Sequence, residues 1–573
     1  MSTVERSGTF QDPPELHNEW TDDLALQRLL ERVLPDDVRA DITPSLADLG
    51  REAATSLKAL SDAVDDAAHE PRLVPFDAWG NRIDRVEVSP LWEQLGDAGK
   101  RHGVVATAYE RAHGEHSRVH QMALAYLYAP SSGLYSCPFA MTDGAAATLL
   151  HHGDRELIDR AVPRLTSRDP AKAWTSGQWM TERPGGSDVG LSETVARQDG
   201  AAWRLTGTKW FTSAVTADMA LTLARPEGNG PGGRGLAMFY VEVRDESDRL
   251  NDLRVLRLKD KLGTRQMPTA ELALEGTTAH LVGSPTDGTR NITPMLAVTR
   301  MWNAVTAASA LRRTLALARS YAARRVAFGQ PILAQPLHQT TLAWLRVEHE
   351  AALQLVFRAV ELLGRQETGV ATEQDELALR MLLPIAKLTT GKQAVAGTSE
   401  GLESFGGAGY IEDTHLPVLL RDAQVLPIWE GTTNVLALDT LRALQKDGAL
   451  PALLADLHRA ATATQHQTLA TIGKQALDAG DHAAAWIAQA TNAGPAAAQH
   501  GARRFALTLG RAHQAALLAA QAQHDLDVHG DGRGLAVARR FAAAGIDLLE
   551  QPGDHLDADA ALARDEAIAM PTD

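Results

Sequence analysis

The chain has 573 residues, more than one hydrophobic core usually supports, so three or four structural units are expected. At 44% hydrophobic and 22% charged, with a single cysteine, Cys137, it reads as an ordinary soluble globular chain without an internal disulfide. A formal net charge of -16 disfavours general attraction to nucleic acid or anionic membranes, and neither a signal peptide nor an apolar run of about 18 residues is visible, so the cytoplasm is the expected address.

In chain order, the first 20 residues, with Gly8, Pro13 and Pro14, predict a mobile or extended arm. Leu24, Leu26, Leu29, Leu30, Val33 and Leu34 then follow helical spacing up to Pro35, and helical patterns are expected to continue to about residue 170. From Trp179 to Gly283 the texture changes to Asp199-Gly200, a glycine-rich stretch from Gly228 to Gly235, and strand-like runs such as Ala220–Leu223 and Met238–Val241. Alanine- and leucine-rich helices resume near Thr293 and run to about Lys446, interrupted by Gly406-Gly407-Ala408-Gly409. After Gly448 a further alanine-rich helical unit is expected.

The expected domains are therefore an N-terminal extension (1–60), a helical domain (61–176), a β domain (177–285), a second helical domain (286–446) and an additional helical domain (447–573). The fold class is α+β, mainly α. An α–β–α order with a barrel-like insert is not doubly wound, and no Gly-x-Gly-x-x-Gly opens a helix after a strand, so neither a Rossmann site nor a P-loop is supported. The most informative residue is Glu430, in Leu426-Pro427-Ile428-Trp429-Glu430-Gly431-Thr432-Thr433-Asn434. Pro427 breaks an arriving helix and Thr432, Thr433 and Asn434 offer helix-starting side chains, which puts the carboxylate on a bend leading into a helix. Taken alone, that pattern is also ordinary turn chemistry.

Four segments in order decide between these readings: Met180-Thr181-Glu182-Arg183-Pro184-Gly185-Gly186-Ser187-Asp188; Gly207 to Ser213; Arg325-Val326-Ala327-Phe328-Gly329; and Glu403 to Tyr410 followed by Arg421-Asp422 and Trp429-Glu430-Gly431-Thr432. Over residues 80 to 446 the set resembles the acyl-CoA dehydrogenase family of flavoproteins, with the intervals Thr181 to Ser213, Arg300 to Arg325 and Gly407 to Glu430 matching those of the family. The resemblance implies an N-terminal helical domain, a middle β-barrel domain and a C-terminal four-helix domain. FAD would lie in extended form between the β domain, the C-terminal helices and a neighbouring subunit of a homotetramer. It further implies that Met180 and Thr181 meet the flavin's pyrimidine edge with Ser187 nearby, that Phe211 packs on the isoalloxazine and that Ser213 reaches its reactive nitrogen. Arg325 and Phe328 would reach the cofactor of the adjoining subunit, while Glu403, Gly406, Gly407, Gly431 and Thr432 complete the implied cofactor contacts.

In such an enzyme Glu430 takes a proton from the carbon alpha to a thioester, a hydride leaves the beta carbon, and Arg300 stands close to the carboxylate. The implied substrate is a short or branched acyl-CoA or a related thioester, and an electron-transfer flavoprotein is a possible acceptor. No metal is expected. Some family members place the base at the position of Thr299, so a threonine there selects Glu430.

Arg183 after Glu182, Glu403 in place of a common glutamine, Gln335-Pro336, Ser136-Cys137-Pro138 and Leu258 to Arg265 resemble the AidB branch, as does the extra C-terminal helical domain. That branch is associated with DNA, yet residues 451 to 573 carry 9 Lys and Arg against 14 Asp and Glu, so a solvated helical face is the better reading of Arg503-Arg504, Arg511, Arg533 and Arg539-Arg540. The alternatives are therefore a DNA-associated protective flavoprotein or a biosynthetic flavoenzyme acting on a carrier-bound substrate. Cys137 reads as a buried packing residue, and Arg257, Lys259, Lys261 and Arg265 as either coenzyme A phosphate ligands or an exposed strand.

Overall fold

The computed structural model describes residues 11–245 and 247–568. The first ten residues of the expected arm lie outside that range; the remainder is extended and docked. Glu15 N–H donates to Ser320 Oγ at 2.9 Å, Arg324 donates to the Pro13 carbonyl at 2.8 Å, and Leu16 packs with Leu317, Tyr321 and Phe405. Helices α1 (Leu24–Val33), α2 (Asp36–Ala54) and α3 (Ser56–Val64) follow. Asp23 caps α1 by accepting from the Ala25 and Leu26 N–H groups, and Leu26, Leu29 and Leu30 form its buried stripe.

One departure from the expected helical run comes next: β1 (Arg72–Phe76) and β2 (Arg82–Glu87) form an antiparallel hairpin. Its turn is local chemistry, since the Asp77 carboxylate collects the Trp79 and Asn81 N–H groups and Gly80 takes a φ of +83°. Helices then resume as α4 (Pro90–Arg101), α5 (Ala106–Glu110), α6 (Ser117–Tyr128), α7 (Ser136–His152) and α8 (Arg155–Leu165).

The middle of the chain supplies β3 (Ser176–Trp179), β4 (Val195–Asp199), β5 (Ala202–Ser213), β6 (Met219–Pro226), β7 (Ala237–Glu242), β8 (Leu253–Leu258) and β9 (Thr269–Val282). The strand order β3-β6-β4-β5-β9-β7, with β6 also paired to β7, closes a barrel, and β8 adds to β9. Alternate residues such as Leu205, Ala220, Phe239, Val241, Leu272 and Leu274 fill its core.

Beyond the barrel lie α9 (Gly288–Asn291), the long α10 (Thr293–Arg324), the short hairpin β10 (Val326–Ala327) and β11 (Gln330–Pro331), α11 (Pro336–Glu367), α12 (Glu373–Ser404) and α13 (Pro417–Ala423). The C-terminal helices are α14 (Thr433–Ala443), α15 (Ala449–Ala461), α16 (Gln467–Ala493), α17 (Pro495–His529), α18 (Arg533–Ala543) and α19 (Leu556–Ala563). Two compact units result, one running to His349 and resuming over Gln393–Glu430, the other comprising Glu350–Lys392 and the chain from Gly431 onward. The first holds the barrel between helical segments. In the second, Trp486 stacks on Phe505 at 5.8 Å and Arg358 pairs with Asp456 at 2.7 Å. The fold is thus α+β with an N-terminal helical part, a middle β-barrel and C-terminal helical bundles. Among the described residues no helix is long and apolar enough to cross a membrane.

Candidate active site

Glu430 ends a run of turns after α13, and its backbone is held in the left-handed region at φ +57°. For a residue with a side chain this costs about 1–2 kcal/mol, so surrounding contacts must hold it. They come from α10: Arg300 Nε donates to the Glu430 carbonyl at 3.2 Å, and Thr299 Oγ1 donates to Glu430 Oε2 at 2.7 Å. Ala307, Ala394, Ala423 and Leu426 pack together beneath the bend, with Trp429 against them. Thr432, the N-cap of α14, accepts from the Val435 N–H, and the Gly431 carbonyl accepts from Lys387 Nζ at 2.7 Å.

Cys137 lies within electrostatic reach of Glu430, and Lys261 within that of Cys137. Cys137, at the start of α7, is buried; burial first and the Glu430 charge second push its thiol up to about 12, so it stays protonated and inert. Lys261 is drawn down to about 8 by burial, opposed by Cys137 and Asp422; it donates to the Thr264 carbonyl, to the Met267 carbonyl at 2.7 Å and to Thr269 Oγ1 at 3.2 Å. Its loop is pinned by Asp422, which accepts from the Thr264 N–H at 2.6 Å, and a β-carbon on Gly263 would lie 2.4 Å from the Arg421 carbonyl.

A second cluster joins the loop after β3 to the end of β5. The Trp210 N–H donates to the Thr181 carbonyl at 2.9 Å, and the loop turns so tightly that a β-carbon on Gly186 would lie 2.5 Å from Thr181 Oγ1. Met180 is buried and Ser187 exposed. Phe211 is 54% exposed, while Thr212 is buried with its hydroxyl on the Ala270 carbonyl at 2.7 Å. Ser213, half-buried, instead shares a hydrogen bond with Thr269 Oγ1 at 3.3 Å. Of the two adjacent hydroxyls, Ser213 is therefore the one available to a ligand.

Arg325, Phe328, Glu403, Gly406 and Gly407 form a third, exposed set. Tyr321 against Phe405, with ring centres 5.3 Å apart, ties the end of α10 to the end of α12 and so gathers them. Phe328 is 99% exposed at φ +53° in the two-residue turn with Gly329, an apolar ring held out from its own fold. Gly406 takes φ +60°, and β-carbons at Gly406 and Gly407 would meet nothing within 4 Å, leaving an open, backbone-lined patch.

Three residues named in the sequence take contacts that no local pattern gives: Thr299 as a partner of the carboxylate, Lys261 as a half-buried lysine behind Thr269, and Glu182 as an anchor. Glu182 accepts from Glu193 N–H at 2.6 Å, Thr194 N–H at 3.2 Å, Thr194 Oγ1 at 2.6 Å and Lys209 Nζ at 2.7 Å. Burial would raise its carboxyl, but the Lys209 ammonium together with the hydrogen bonds from Thr194 and Glu193 holds it low. The supposed phosphate ligands are largely committed elsewhere: Arg257 and Lys259 share Glu271 at 2.7 and 2.6 Å, and Arg265 pairs with Glu70 at 2.6 Å. In the tail, Arg504 pairs with Glu550, Arg511 donates to the Gly545 carbonyl and Arg533 pairs with Glu350.

Against known proteins, residues 177–277 match the family model described as acyl-CoA dehydrogenase, middle domain, and residues 286–445 that for the acyl-CoA dehydrogenase C-terminal domain. Acyl-CoA dehydrogenase family member 11 of Caenorhabditis elegans is 47% identical over 77% of this chain and 73% of its own length. The chain belongs to the acyl-CoA dehydrogenase family. Residues 11–170 match the model described as adaptive response protein AidB N-terminal domain. The AidB protein of Escherichia coli (strain K12) is 32% identical over 72% of this chain and 76% of its own length. Among solved structures, the crystal structure of C. elegans ACDH-11 in complex with C11-CoA covers 99% of both chains at 40% identity with a TM-score of 0.95. The fold is thus the FAD-binding fold typical of this acyl-CoA dehydrogenase family.

Proposed function

We propose that the protein is an FAD-dependent oxidoreductase that dehydrogenates an acyl thioester across its alpha and beta carbons. The observation that carries this reading is the strained Glu430 turn, held by Arg300 on its carbonyl and Thr299 on its carboxylate. Glu430 is the base that removes the alpha proton, and its own backbone N–H is the donor we assign to the thioester oxygen as charge develops there. FAD, when bound, supplies the acceptor for the hydride from the beta carbon.

The residues present fit that cofactor. The half-exposed Phe211 ring and the Ser213 hydroxyl border one side, with Met180, Thr181 and Ser187 on the tight loop beside them. Arg325, Phe328, Glu403 and the open Gly406-Gly407 backbone suit a phosphate and an aromatic ring brought by a second copy of the chain. Gly431 and Thr432 fix the peptide that follows the base. A homotetramer and an electron-transfer flavoprotein acceptor belong to the same proposal. Phe328→Ser should lower the oligomeric state seen by light scattering and reduce flavin content together; an intact oligomer with full flavin refutes this assignment.

The AidB branch is the assignment we favour within the family, on the N-terminal match and the extra helices. The internal partners of Arg504, Arg511 and Arg533 favour the enzymatic reading over a DNA-associated one. For the acyl group, the C11-CoA in the ACDH-11 complex makes a chain near eleven carbons the first to test, alongside short and branched thioesters. Anaerobic addition of such a panel should bleach the oxidised flavin. Glu430→Gln should keep the yellow colour and lose bleaching by roughly 100-fold or more. Equal bleaching in both proteins places the base elsewhere, and a folded protein that takes up no flavin ends the reading.

A further inference from the structure

Thr299 is 3% exposed on α10, and its hydroxyl oxygen reaches three acceptors, the most distant being the Leu296 carbonyl at 3.4 Å. Glu430 Oε2 is 2.7 Å away and the Met295 carbonyl, one helical turn back, is 2.9 Å away. A hydroxyl has one proton and two lone pairs, so it serves one of these acceptors at a time. The helix carbonyl is already within the reach of the backbone ladder, whereas an ionised carboxylate forms the stronger, charge-assisted bond. The proton is therefore directed to Oε2 whenever Glu430 is charged.

That contact makes the two carboxylate oxygens unequal. Oε2 is tethered to a buried helix and Oε1 is not part of that tether. In a residue whose backbone already sits in a left-handed turn, the tether also removes the rotation that would exchange the two oxygens.

We propose that Thr299 is a positioning residue that pins Oε2 and so assigns Oε1 of Glu430 as the oxygen that receives the alpha proton. The inference rests on the reading of Glu430 as the base. In the step itself the C–H bond of the alpha carbon breaks, its electron pair stays on carbon, and the proton bonds to Oε1. Thr299 keeps its own proton throughout and donates it to Oε2 while Glu430 is charged, which is the state that accepts the alpha proton. Losing the hydroxyl leaves the carboxylate free to rotate among orientations of which only a fraction face the thioester.

The test compares Thr299→Val, which keeps the shape without the hydroxyl, with Thr299→Ser, which keeps the hydroxyl. Rapid-mixing flavin bleaching with the thioester that reduces the parent gives the rate constant at saturation, and equilibrium titration gives thioester affinity. Thr299→Val should be roughly 10- to 100-fold slower at saturation with affinity unchanged within about 3-fold, and Thr299→Ser should restore most of the rate. Thr299→Ala repeats the hydroxyl-free arm should the valine protein not fold. Bleaching by Thr299→Val at the parent's rate, or by Thr299→Ser as slowly as Thr299→Val, overturns the inference and leaves Glu430 as the base. A parent that no thioester bleaches, or a Glu430→Gln protein that bleaches as fast as the parent, removes the reading beneath and the inference with it.

Discussion

Glu182 and Glu430 sit in the same unit, and their surroundings show what separates a structural carboxylate from a chemical one. Glu182 is 2% exposed and its oxygens accept from two backbone N–H groups, the Thr194 hydroxyl and the Lys209 ammonium, itself fully buried. Each lone pair facing a donor is unavailable to a substrate proton, and the adjacent positive charge lowers the affinity for one. Glu430 is gripped through its backbone carbonyl by Arg300 and through one side-chain oxygen by a neutral hydroxyl. The first arrangement fixes a loop to a barrel; the second fixes the direction of a carboxylate while keeping it reactive.

Cutting the salt partner of Glu182 should have the largest effect on the fold. Lys209→Met leaves a buried carboxylate with no countercharge, and about 3–5 kcal/mol of stability should be lost, read as a fall in the denaturant midpoint of the flavin-loaded protein. Adding Glu182→Gln to that variant should recover most of the loss, because a neutral amide needs no countercharge. The converse is expected at the other site: Glu430→Gln should change the stability read from the midpoint by no more than about 1 kcal/mol while abolishing bleaching. A Glu430→Gln protein as unstable as Lys209→Met would erase the distinction between the two carboxylates.

What the sequence made legible follows the same division between near and far. The bend at Glu430 was readable because Pro427 and the Thr432 cap lie within a few residues of it, and the barrel because glycine-rich turns alternate with runs such as Met238–Val241. The β1–β2 hairpin interrupts the expected helical run, although Asp77, Gly80 and Asn81 between Leu73-Val74 and Ile83 carry a turn signal. Thr299 and Glu430 are 131 residues apart, and Glu182 and Lys209 are 27 apart across the barrel. Such pairs are set by strand register and helix packing, which no local pattern encodes.

Asp422 supplies the smallest and finest test, since it stands between the two glutamates in character. It anchors the Lys261 loop through the Thr264 N–H, and burial pushes its carboxyl up to about 6, against an ordinary value of 3.8. Between those two pH values the folded protein holds a proton that the unfolded chain has released, so this group's stabilisation is complete below about pH 4 and is lost as pH rises through 6. Asp422→Asn keeps the Oδ1 acceptor for Thr264 without the charge. The melting temperature of the variant minus that of the parent should therefore rise from pH 4 to about pH 6.5 and then level off, a comparison in which the other carboxylates cancel. Because Asp422 still touches solvent along part of its surface, the rise should be a few degrees at most. A difference that is flat across this range would mean that Asp422 is as solvated as a surface carboxylate.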